Sequence, residues 1–184
     1  HDPGPAPAAR PIPVWDLAVR VLHAALAVLV VFDLVRDDGD LLHRQIGYAA
    51  CAVVLLRLAW SLGSRGPARL AALRPSLRDT LDYLRTLARG HVPRPAGHDP
   101  LGLWMVWLLW ALVLLLGVTG WMTRLDAFWG DDGLHDLHAA LADLLLAAVV
   151  LHLAGVAVMS VLRRELLSAA MLIGAKRVDS APPP

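Results

Sequence analysis

The chain has 184 residues, 57% of them hydrophobic and 18% charged, with a formal net charge of +1. A soluble domain carries roughly 45–50% apolar and about 25% charged residues, so this balance excludes an ordinary soluble enzyme; the net charge says nothing about partners by itself, its distribution does, and no nucleic acid is expected. A single cysteine, Cys51, lies inside an apolar run, which excludes a disulfide framework or a cysteine metal cluster within the chain.

Residues 1–13 are rich in Pro and Ala and are expected to be a disordered N-terminus. A membrane span needs roughly 20 mostly apolar residues, and the first segment of that kind covers residues 14–35, carrying Asp16, Arg20, His23 and Asp33. The second covers residues 43–62; it opens on His43 and holds Arg44 and Arg57. Pro67 to Gly90 is too polar to span. Leu70, Leu73, Leu77, Leu81, Leu84 and Leu87 recur there every three or four residues with Arg between them, the pattern of an amphipathic helix lying on a membrane surface. Ser76, after Arg74-Pro75, is placed to cap a helix starting near Leu77. The third span, residues 101–122, has no charge, and the fourth, residues 137–162, is interrupted by His138, Asp143 and His152. Glu165 to Ile173 reads as a short interfacial helix, and residues 178–184 as a disordered tail. The expected fold is therefore all-α: one integral membrane four-helix bundle over residues 14–177, bounded by lipid, with a surface helix between spans two and three.

Orientation follows from the short loops, because Lys and Arg gather on the cytoplasmic side. Arg65, Arg69, Arg74, Arg78, Arg85, Arg89 and Arg94 lie between spans two and three, Arg10 precedes span one, and Arg163, Arg164, Lys176 and Arg177 follow span four. The other two loops are acidic, with Asp37, Asp38 and Asp40 in one and Asp126, Asp131 and Asp132 in the other. Both termini are expected in the cytoplasm, and the acidic loops in the periplasm of a bacterial inner membrane.

Ionisable residues inside a membrane are costly and usually functional. His138 and His152 are 14 residues apart on one span, which returns them to within ~40° of one face and sets them ~21 Å apart along the axis. Span one runs outward and brings His23 to the level of His152. Span two runs inward and opens with His43 at the level of His138. Two histidine pairs at two depths suit two haems held by paired axial imidazoles, against the alternative that the histidines are polar interhelical contacts or proton-path residues. His135 competes with His138, but its 17-residue offset from His152 turns it ~100° away. His91 and His98 read as solvated. Zinc is disfavoured, since it wants three or four close ligands. Ala27, Gly47, Ala148 and Gly155 supply small side chains near the histidines. Arg20 and Arg57 are candidates for the inner propionates and Arg44 for the outer, with snorkelling to the interface as the alternative for each. Trp104, Trp107, Trp110, Trp121 and Trp129 read as interfacial belt residues more than as a quinone site.

At these residues the chain resembles the bacterial cytochrome b561 family, and within it the branch of hydrogenase b-type subunits and of cytochromes b paired with c-type cytochromes. The similarity runs over about residues 13–177. It begins with PVWDLAVRVLH, continues through LHRQIGYAACAVVLLRLAW and GHDPLG, and closes with LHDLHAALADLLLAAVVLHLAGV and MLIGAKR. Asp99 stands where the family more often has Asn.

The resemblance implies two haem b groups with His23, His43, His138 and His152 as axial iron ligands. It also implies quinone-linked electron transfer to a periplasmic c-type cytochrome or a hydrogenase, an oxidoreductase-type role in a respiratory chain. Two alternatives stay open: a superoxide:quinone oxidoreductase, which the acidic outer surface disfavours because superoxide is an anion, and a haem-free membrane anchor.

Overall fold

A computed structural model describes residues 12–13, 16–36, 39–65, 68–93, 99–163, 167 and 175–176. The long elements are helices α1 (Leu17–Val35), α2 (Leu41–Gly63), α3 (Leu77–Ala88), α4 (Pro100–Met122) and α5 (Asp132–Arg163). Strands β1 (Ile12–Pro13) and β2 (Ala175–Lys176) form one short antiparallel pairing, Ile12 opposite Lys176, so two residues expected in the disordered N-terminal stretch have a partner near the other end of the chain. The remaining terminal residues, the interfacial helix expected over Glu165–Ile173 (Leu167 apart), Asp37, Asp38, Arg94 and His98 lie outside the described residues.

Four of the helices, α1, α2, α4 and α5, are long and apolar enough to cross a membrane. Each begins at an aspartate that accepts a backbone N–H of its first turn: Asp16 from Val19 at 2.8 Å, Asp40 from His43 at 2.8 Å, Asp99 from Gly102 at 2.7 Å and Asp131 from Leu134 at 3.1 Å. These caps satisfy donors that the helix cannot use itself, and they explain the differences from the expected spans. Asp40 lets α2 start at Leu41 instead of His43. Asp131 lets α5 start at Asp132, five residues before Leu137. At 32 residues, α5 is ~48 Å long and outreaches a hydrocarbon core of about 30 Å, so its first turns stand on the acidic face. Gly39, at φ +64°, takes the left-handed turn that feeds Asp40, a conformation costly for any residue with a side chain.

Packing follows an order: α1 lies on α2, α2 on α4, and α4 on α5. A shared core joins them, built from Val30, Ala50, Val54, Trp110, Leu112, Val113, Leu145 and Ala148. Large apolar side chains elsewhere point outward, among them Val28, Leu55, Leu115, Val150 and Leu153. In water this would be a liability; against acyl chains it is the natural surface.

Helix α3 starts at Ser76 as its sequence predicts, with the Ser76 hydroxyl accepting from the Asp79 N–H at 3.3 Å. It docks on α4 through Thr80 and Tyr83, which are buried, while Leu77, Leu81 and Leu84 stay exposed. These three leucines therefore face away from the bundle. Ahead of it, a 3-10 turn at Leu70–Leu73 puts Leu73 fully into the core. Trp107 Nε1 donates to the Leu73 carbonyl at 2.6 Å, and Trp104 Nε1 to Thr80 Oγ1 at 3.1 Å. These two indoles fasten the surface segment to α4, a tertiary role that their place in an aromatic belt did not predict.

Candidate functional site

The histidines fall where two pairs of helices face each other without packing closely. His43 sits on α2 and His138 on α5; His23 sits on α1 and His152 on α5. Neither α1 nor α2 makes extensive contact with α5. Among the described residues no three His, Cys, Asp or Glu converge on a common point. His43 and His138 come together as a pair.

On the acidic side, the His43 and His138 rings have centroids 6.3 Å apart and planes at 83°. A metal held by imidazole at about 2.0 Å from each side needs the two ring centres roughly 6 Å apart, so this spacing accommodates one iron between them. The ring nitrogens are also set for it. His43 Nδ1 lies 3.0 Å from the Arg36 carbonyl oxygen and 3.0 Å from Asp33 Oδ1. A carbonyl only accepts, so Nδ1 carries the proton and Nε2 presents its lone pair. His138 Nδ1 lies 2.7 Å from Thr119 Oγ1. The Thr119 hydroxyl proton is turned to the Leu115 and Leu116 carbonyls at 2.9 and 3.2 Å, so its oxygen accepts from Nδ1–H, and Nε2 of His138 is likewise left for a metal. Ligating histidines characteristically give their other N–H to such a partner.

Gly120 makes room for this ring: a Cβ there would stand 3.2 Å from His138 Cε1. Gly47, one turn after His43, lies beside Asp33, where a Cβ would make only an ordinary contact, 3.5 Å from Oδ2. Asp40, which caps the helix carrying His43, is exposed. Its carboxyl is held below the usual carboxylate range, first by the hydrogen bond from the His43 backbone N–H and further by Arg36, with a hydrogen bond at 3.2 Å.

On the arginine-rich side, His23 and His152 are within electrostatic reach of each other. His23 is exposed and His152 half-buried, and Ala27 and Gly155 beside them are exposed too. A Cβ at Gly155 would meet nothing within 4 Å. Ala148, by contrast, is a core residue. His135 is exposed at the start of α5, and His91 is exposed beyond α3.

The three arginines differ. Arg57 is buried, hydrogen-bonded to Ser61 Oγ and at 3.5 Å to the Ala68 carbonyl, with its guanidinium 5.8 Å from the Trp110 ring centre. Arg44 is half-buried and donates through Nε to the Asp40 carbonyl at 3.3 Å. Arg20 is half-buried one turn before His23.

The sequence profile of the prokaryotic cytochrome b561 family matches residues 14–174. The chain belongs to that family. It is accordingly a multi-pass bacterial membrane protein, a b-type cytochrome of electron transport that binds haem. No curated protein sequence matches it.

Two features of this cytochrome b561 site lay outside the sequence reading. Asp33 stood there as a stray charge in span one, and Thr119 and Gly120 as unmarked residues in the charge-free span. Asp33 is ten residues before His43 but on another helix, and Thr119 is on a third. Only the depth of Asp33, at the same end as His43, could have signalled the contact.

Proposed function

We propose that the protein is a di-haem cytochrome b of the bacterial inner membrane, carrying electrons between the quinone pool and a periplasmic c-type cytochrome or hydrogenase. His23 and His152 would hold the inner haem, His43 and His138 the outer. One observation carries this reading: a single helix, α5, offers His138 and His152 at two levels, with His138 facing His43 of α2 at a 6.3 Å ring separation. Haem supplies a reversible one-electron iron couple; the protein sets its place, ligand basicity and dielectric.

Arg20 and Arg44 are the propionate partners we favour, at the inner and outer levels. Arg57 is enclosed by Ser61, Ala68 and Trp110, which supports a packing role at the junction of α2 with the 3-10 turn. The arginine-rich side is taken as cytoplasmic, with both termini there. The opposite face exposes Asp40, Asp126, Asp131, Asp132 and Asp136, a surface that favours a partner with lysines around its redox centre and a salt-sensitive encounter.

The test is a set of four single variants, each histidine changed to Ala, purified with haem present and read by haem content and reduced-minus-oxidised spectra. Loss of one and the same haem from His43→Ala and His138→Ala, and of the other from His23→Ala and His152→Ala, is the expected result. Full occupancy of both sites in any of the four would overturn the assignment.

A further inference from the structure

The outer histidine pair carries more structure than ligation requires. Each ring is anchored through Nδ1, but by unlike groups on different helices. His43 is held by the Arg36 carbonyl just past the end of α1, at 3.0 Å, and the Asp33 carboxylate of α1 stands beside the same nitrogen as a charge, with Oδ1 at 3.0 Å. His138 is held from α4 by Thr119 Oγ1 at 2.7 Å. The Thr119 hydroxyl is itself fixed by the Leu115 and Leu116 carbonyls, so it cannot swing freely. Gly120 clears the space that the His138 ring occupies. The result is two imidazole planes crossed at 83°.

Resting on the di-haem reading, we propose that Asp33 and Thr119 are positioning residues for the outer haem. Together they lock its axial imidazoles perpendicular and make His43 the stronger electron donor of the two. The asymmetry is chemical. The His43 Nδ1–H donates to the Arg36 carbonyl, and the Asp33 carboxylate beside it, at 3.0 Å, acts by its charge: it stabilises positive charge on the ring and raises the basicity of the far nitrogen. A hydroxyl oxygen is neutral and does this weakly. Asp33 also places negative charge close to the iron on the side of His43, where it favours the ferric over the ferrous state. Thr119 contributes direction: without it nothing on α4 holds the His138 ring across that of His43.

Two substitutions separate these effects. Asp33→Asn keeps a side-chain oxygen near His43 Nδ1 and removes the charge. Thr119→Val keeps the shape and removes the acceptor, and Thr119→Ser restores it. The experiment uses the full-length, haem-loaded protein in detergent or nanodiscs, with redox titration followed optically and electron paramagnetic resonance of the ferric form. The unmutated protein should show one strongly anisotropic low-spin signal, the mark of perpendicular imidazole planes, assigned to the outer site by its loss in His138→Ala. Asp33→Asn should move the outer midpoint potential upward and leave the inner one in place. Thr119→Val should convert the outer signal to a less anisotropic, rhombic one with a smaller change in potential, and Thr119→Ser should bring it back. Unmutated potentials and signals in both Asp33→Asn and Thr119→Val, with two haems bound, would overturn the inference. Failure of the di-haem reading is separate, because it appears in the haem count of the unmutated protein.

Discussion

Arg163, at the last turn of α5, donates to the carboxylate of Asp99, which caps α4, with Nη2 and Oδ2 3.2 Å apart. The same guanidinium donates to Tyr83 Oη at 3.1 Å, so one side chain joins the middle of α3 to the start of α4 and the end of α5. Its own side chain is 1% exposed. Snorkelling is the ordinary fate of an arginine at a helix end; here the head group turns inward.

Removing one partner of a buried ion pair leaves the other charge unsatisfied, at a cost of roughly 3–5 kcal/mol. Arg163→Ala should therefore lower the unfolding midpoint of the bundle in mixed-detergent titrations. It should also raise amide exchange through α3. Asp99→Asn should cost less, because an amide still caps α4 and still accepts from Arg163. Equal stability of Arg163→Ala and the unmutated protein would show that the pair contributes nothing.

Tyr83 gives the same junction a pH response. Burial pushes its phenol above the ordinary range, the neighbouring Asp99 carboxylate pushes it further, and Arg163 opposes both. The folded protein thus holds this proton more tightly than the unfolded chain. The contribution to stability is complete below the ordinary tyrosine value of about 10 and is lost as pH rises through the raised folded value. Spectrophotometric titration should show a tyrosinate transition above the ordinary range that is absent in Tyr83→Phe. Exchange protection of α3 should fall across the same transition and not at neutral pH. A Tyr83 transition at the ordinary value would contradict this.

Much of this architecture could be read from periodicity and charge alone. The four spans, the surface helix with Ser76 at its start, and the two levels of histidine are properties of single segments, which local sequence records. The remainder is tertiary. Asp16, Asp40, Asp99 and Asp131 look like polar ends of apolar runs, yet as caps they extend the helices into residues that hydropathy assigns to loops. Asp33 looked like an unwelcome charge because its partner His43 sits across a turn on the next helix. Trp104 and Trp107 fitted an aromatic belt by position, and only the docked 3-10 turn and α3 show what their indole N–H groups serve. Arg163 counted towards the cytoplasmic charge bias, and no pattern in the chain says that its side chain turns inward.

Gly120 tests how tightly the His138 ring is seated. A Cβ there would approach His138 Cε1 to 3.2 Å, close enough that the ring must yield by a few tenths of an ångström. Thr119 holds the same ring by Nδ1, so it cannot yield without disturbing that bond. Gly120→Ala should reduce outer haem occupancy or shift its absorption bands, with the inner haem unaffected. Overall stability should change little, since alanine in a helix interior gains ~1 kcal/mol over glycine and offsets the local crowding. A loss falling on the inner haem would place His138 in the wrong pair.

Gly117 and Cys51 make a packing pair whose energetics can be measured independently of haem. A Cβ at Gly117 would collide with Cys51 Sγ. That sulfur is held in place by its contact with the Val113 carbonyl at 3.4 Å. Gly117→Ala should destabilise the α2–α4 interface by about 1–3 kcal/mol, the usual cost of overpacking a filled core. Cys51→Ala removes the obstructing sulfur and leaves a small void. The double variant should recover most of the loss, because alanine at 117 then fills the space that the sulfur vacates, and the helix gains ~1 kcal/mol from losing a glycine. Unfolding midpoints of the two single variants and the double form a cycle whose coupling term isolates the contact. If the double variant is no more stable than Gly117→Ala, then Gly117 is required for something other than the approach of Cys51.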